Sequence, residues 1–113
     1  MTYLYGDFSD SQIEINATIM HNEIHKLLLY KDPKITPKNF NSDNDFLNYF
    51  NNLLYRYGGL NKLLGEPSHM VAFMSTLQSA YDEVSSEKYN YKAFRRLILD
   101  AHGYIKAMFE SEV

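Results

Sequence analysis

The sequence predicts an all-α protein, a small antiparallel four-helix bundle with a docked N-terminal arm. Three observations carry that expectation. Four segments of the 113-residue chain repeat apolar residues at spacings of three and four, the mark of one buried helical face. No segment shows the apolar–polar alternation of a strand. The breaks between segments are short and rich in Pro, Gly, Ser and Asn, like the loops of a bundle rather than linkers between domains. Residues 1–113 therefore read as a single helical domain, with an arm over 1–8 and helices over about 10–31, 43–57, 67–86 and 91–110.

The first helix follows Ser9, which with Gln12 has capping-box spacing. Ile13, Ala17, Met20, Ile24, Leu27 and Leu28 make its stripe, and Ile15 and Ile19 are expected to widen the buried face. Asp10 near its start and Lys31 near its end suit the helix dipole. Pro33 and Pro37 disfavour continuation. The second helix is capped by Ser42, Asn41 or Asp43 and carries Phe46, Leu47, Phe50, Leu53, Leu54 and Tyr57. Gly58 and Gly59 are expected to close it, with one short turn to follow before Pro67. Pro67 suits the first position of the third helix, whose stripe is Met70, Phe73, Met74, Leu77, Ala80, Tyr81 and Val84. Asn90 caps the fourth, whose stripe is Phe94, Leu97, Ile98, Ala101, Ile105 and Met108. Each of these helices spans about 22 to 30 Å and needs a partner for its apolar face. The arm holds Tyr3, Leu4, Tyr5 and Phe8, too apolar to hang free, so it is expected to dock on the bundle or on a second chain.

Composition removes several functions. With no cysteine, the chain has no disulfide, thiolate metal site or cysteine nucleophile. A net charge of -3 argues against a general coat for duplex DNA. No apolar run has membrane length and no export signal leads the chain, so a cytoplasmic location and no membrane partner are expected. Neither a serine elbow nor a glycine-rich phosphate loop is present, and no cofactor is expected. Abundant Asn, Tyr, Lys, Ile and Phe beside Trp 0 is the usage of an AT-rich genome, such as those of phages and plasmids of low-GC bacteria.

The last helix holds the candidate site. Lys88, Lys92, Arg95, His102 and Lys106 follow at steps of four, three, seven and four and form one basic stripe, broken by Leu99. Its cations begin in the first turns, where they oppose the helix dipole at roughly 0.3–1 kcal/mol each. Local violations of this kind gather at binding surfaces. Tyr89 and Tyr91 flank Lys88 and Lys92, offering contact area at low entropy cost or rings on which bases could stack. The plain alternative is a solvated face paired with Asp82, Glu83 or Glu87. Gly103 beside Ala107 makes a shallow groove for close helix packing, within the bundle or with another chain.

Arg95 or Arg96 followed by His102 resembles the catalytic signature of HEPN-type ribonucleases, small helical domains that pair two such sites by dimerisation. The resemblance covers one helix only, and the polar residue usual after the arginine is absent if Arg96 is the match, since Leu97 follows. It implies an arginine binding phosphate, His102 moving the proton, and a homodimer. Separately, His21 and His25 lie one turn apart, a spacing that can seat a metal ion if folding recruits a further ligand such as His69 or Asp32.

These readings together anticipate a non-catalytic recognition protein. The expected form is a protein-binding inhibitor or adaptor of phage or plasmid type, acting in anti-defence, immunity or virion assembly through the basic and tyrosine face of the last helix. Its partner would be a host or phage protein. A HEPN-like ribonuclease and a non-catalytic nucleic-acid binder are the alternatives.

Overall fold

The computed structural model describes residues 2–3, 6–7 and 10–110, with side chains over 16–108. Four helices form an antiparallel bundle: α1 (Asp10–Lys31), α2 (Asp43–Leu63), α3 (Ser68–Val84) and α4 (Tyr91–Glu110). Two-residue strands precede them. Thr2–Tyr3 (β1) pairs antiparallel with Gly6–Asp7 (β2), Thr2 opposite Asp7 and Tyr3 opposite Gly6. Strands this short leave no period in the sequence, so the hairpin was not legible there. The expected docking of the arm rests on the side chain of Tyr3 and on Leu4, Tyr5 and Phe8; that docking and the Ser9 cap lie outside the described residues and side chains.

Cross-helix contacts fix the order around the bundle. α1 and α2 run antiparallel, since Glu23 meets Tyr57 and Tyr30 meets Asp43. Tyr57 lies against Phe73 and Phe50 against Tyr81, which sets α2 against α3 in the same sense. α4 returns along α1, with His21 against His102 and Lys31 over Tyr89. α3 packs on α4 along their length. The interior comes from all four stripes: Ile24 and Leu27; Phe46, Phe50 and Leu53; Met70, Phe73, Leu77 and Ala80; Phe94, Ile98, Ala101 and Ile105. Among the described residues no polar side chain is fully buried, as expected of a core held by apolar burial worth about 1.5–3 kcal/mol per large side chain.

The helix ends follow local chemistry. Ser42 Oγ accepts from the Asp45 backbone N–H at 3.1 Å, and Asp43 and Asp45 sit at the positive end of the α2 dipole. Asn90 Oδ1 accepts from the Ala93 N–H at 3.2 Å and caps α4. After α1, the Lys34 N–H donates to Asp32 Oδ1 and Lys38 Nζ donates to the Asp32 carbonyl, which folds the proline-containing loop back on the helix end.

Three expectations need correction. α2 does not close at Gly58–Gly59 but runs to Leu63. Leu60 packs on the core and Leu64, just past the helix end, is buried. The apolar stripe beyond the glycines thus outweighs their cost of about 1 kcal/mol each. The chain turns instead at Gly65 (φ 81) and Glu66 (φ 56). There the Glu66 N–H donates to the Asn61 carbonyl and the Gly65 N–H to the Lys62 carbonyl, a Schellman closure. Pro67 is the N-cap of α3 rather than its first residue, and the helix ends at Val84. Ile19 does not widen the core; it is 48% exposed.

Candidate functional site

α4 places its charged edge outward. Lys88, Lys92, Arg95 and Lys106 are all exposed, and none makes an ion pair with a described carboxylate. Two of the three acids that could have neutralised them, Glu83 and Asp82, are engaged locally. Glu83 Oε1 accepts from the Asn90 N–H at 2.9 Å, and Asp82 Oδ1 accepts from Gln78 at 3.1 Å. Arg96 is different: its Nε lies 3.5 Å from Asp100, one turn along the same helix, an exposed pair of the kind worth about 0.3–0.5 kcal/mol.

The flanking tyrosines tie the start of α4 to the end of α1. Tyr89 is half-buried, with its ring edge-on to Phe94 at 6.3 Å and Lys31 Nζ 4.6 Å from its centroid. Its hydroxyl oxygen is buried with no hydrogen-bond partner. Burial, then the nearby Tyr91 and Glu83, push its pKa up to about 12. Tyr91 is raised by burial and by the Asp32 carboxylate, with Arg95 opposing. Both rings are partly committed to intramolecular packing, so little open face is left for a stacked base.

His102 turns inward and leaves the cationic row. Its Nδ1 lies 2.6 Å from Nδ1 of His21, with the rings stacked at 4.9 Å and 17°. His25 approaches the same ring at 6.4 Å between centroids. Burial first, then the two neighbouring histidines, lower the His102 pKa to about 4. The imidazole is therefore neutral near pH 7, and the stripe divides into a cluster of Lys88, Lys92 and Arg95 and a separate Lys106. Gly103 is exposed, and a Cβ there would meet nothing within 4 Å, so it serves no close packing inside the bundle.

Among the described residues no group of three His, Asp or Glu side chains is placed to hold a metal ion. His21, half of the candidate metal pair with His25, directs its Nδ1 at His102 instead. Two associations escaped the sequence reading. One is this meeting of histidines; each flanks a buried position of its helix, Met20 and Ala101, and that adjacency is the only sequence signal of it. The other is Glu23, which binds both Arg56 and Tyr57 across the α1–α2 seam.

The fold and its outward cations define the class, a four-helix bundle with a basic edge. No protein-family model, curated protein or solved structure matches the chain. Among the described residues no helix is long and apolar enough to cross a membrane.

Proposed function

We propose that this chain is a non-catalytic recognition protein that binds an acidic surface of a partner protein through Lys88, Lys92, Arg95 and Lys106. The observation that supports it is the exposure of these four cations, none in an ion pair with a described carboxylate, along one edge of a chain of net charge -3. Such an edge steers association and sets orientation more than it adds affinity. An inhibitor or adaptor carried by a phage or plasmid fits the size and the AT-rich residue usage. The inward turn of His102 and the Arg96–Asp100 pair leave Arg95 without a ready proton-transfer partner, which favours recognition over RNA cleavage.

The test compares the wild type with the Arg95→Glu, Lys106→Glu double variant, each used as bait in the cells that make the protein. The reading expects a defined co-purifying protein with the wild type and its loss with the variant. Unfolding temperature should change little, since exposed substitutions stay within about 0.5 kcal/mol. Equal recovery of that protein by both baits rejects the basic edge as the contact. Steeply salt-dependent binding to single-stranded RNA or DNA would assign the edge to nucleic acid instead. Cleavage of RNA that disappears in His102→Ala would establish the ribonuclease.

A further inference from the structure

The histidines at the α1–α4 seam have a consequence independent of the basic edge. His21 and His102 come from positions 81 apart in the chain, and their Nδ1 atoms face each other at 2.6 Å. A contact this short requires one hydrogen shared between the two nitrogens: one Nδ1 carries it and the other accepts. The neutral pair satisfies this with either ring as donor. A pair with one added proton satisfies it too, because an imidazolium still donates through Nδ1 to its neutral neighbour. With both rings protonated, two N–H groups would point at each other across 2.6 Å, and the contact cannot persist.

His25 stands one turn from His21 on α1 and 6.4 Å from His102 between centroids, so a third imidazole faces the same place. Among the described residues, the titratable groups that act on His102 are these two, both from α1. None is contributed by α3, the other helix packed on α4. Along α4 itself Asp100 and Tyr104 lie two residues away and the cationic Lys106 one turn on; Asp100 is paired with Arg96 at 3.5 Å. No described carboxylate forms an ion pair with His102.

We propose that His21, His25 and His102 form an acid-sensitive latch between α1 and α4, closed while the facing His21–His102 pair holds no more than one added proton and released when both rings are charged. Release parts the imidazoles and frees the α1–α4 seam, whose apolar residues include Ile24, Leu27, Ile98 and Ile105. The sign follows from linkage. His102 takes up its proton at about 4 in the folded chain against 6.5 ordinarily. The unfolded chain therefore binds protons first as pH falls, and stability held above about pH 6.5 is lost progressively toward pH 4. The facing rings titrate as a unit, so the curve belongs to the pair.

The test follows the imidazole resonances of the full chain by NMR and measures thermal unfolding from pH 7.5 to 4 for wild type, His102→Phe and His21→Phe. Each variant keeps a ring and removes one protonation site. The latch expects one imidazole to titrate well below 6.5 and to disappear in His102→Phe. It also expects the variants to gain on the wild type by about 5 °C in unfolding temperature between pH 7 and pH 4. A constant difference across that range, or a His102 midpoint at or above 6.5, overturns it. If one variant fails to fold, the other variant and the wild-type titration decide. Stabilisation of the wild type by added zinc at pH 7 would also overturn it, since the cluster would then be a metal site.

Discussion

The Tyr57 hydroxyl donates to Glu23 Oε1 at 2.8 Å while Arg56 donates to the other oxygen of the same carboxylate. Tyr49 adds a third tie, its hydroxyl donating to the Glu23 carbonyl at 3.1 Å. Glu23 thus clasps α1 to α2 at the level where Gly58 follows Tyr57. The Glu23 side chain is 16% exposed and that of Arg56 is 50% exposed. The hydrogen bond that Arg56 donates to Glu23 holds the guanidinium above its ordinary pKa. Burial first, then the bond to Glu23, raise the Tyr57 phenol.

That asymmetry sets an order of effects. Glu23→Ala should lower stability by about 2 kcal/mol, since it strands the buried Tyr57 hydroxyl and removes a charged acceptor. Arg56→Ala should cost under about 1 kcal/mol, because the half-exposed guanidinium is already solvated and its pair with Glu23 is screened by water. Urea unfolding of the two variants checks this, and an Arg56 loss larger than the Glu23 loss would contradict the clasp.

The glycines should respond in opposite directions. A Cβ at Gly59 or Gly103 meets nothing within 4 Å, and at Gly58 it reaches only ordinary contact with Met74 at 3.9 Å. Alanine at Gly59 or Gly103 should therefore raise stability by about 0.5–1 kcal/mol, through helix propensity and a less flexible unfolded chain. Gly65 has φ 81, where a Cβ costs roughly 1–2 kcal/mol, so Gly65→Ala should destabilise. Denaturation midpoints of the single variants give the signs directly.

In alkali the tyrosines should govern stability. Tyr30 donates to Asp43 Oδ1 at 2.6 Å, and that bond first, then burial, pushes its pKa up to about 12. Tyr89 is also pushed up to about 12, and Tyr57 is raised. The folded chain keeps these protons after the unfolded chain has released them near 10.0. Stability present below pH 10 should therefore fall as pH rises toward 12. Ultraviolet titration should show a late-ionising group of phenols, and Tyr30→Phe should remove one member. If all the phenols ionise together near pH 10, Tyr30 lacks its bond to Asp43.

Much of the fold could be read from residue spacing. Phe46, Phe50, Leu53 and Tyr57 face inward as their three-and-four pattern requires, and Ser42 and Asn90 cap as their chemistry suggests. The candidate site was legible only in its exposed half. Lys88, Lys92, Arg95 and Lys106 point outward because α4 has one apolar stripe and they lie off it. His102 lies off the same stripe in sequence, yet it turns toward α1, because a residue beside a buried position can be covered by the neighbouring helix. No count along α4 reveals which helix that is.

By itself the sequence determined the all-α class and the identity of the buried faces, since burial periodicity is a property of each segment alone. Tertiary structure decided that α2 continues through Gly58–Gly59, that Glu23 serves both Arg56 and Tyr57, and that His21 meets His102. Each of these depends on the rotation and axial shift of one helix against another. Packing of whole apolar faces sets those quantities, and it can override a local propensity of about 1 kcal/mol.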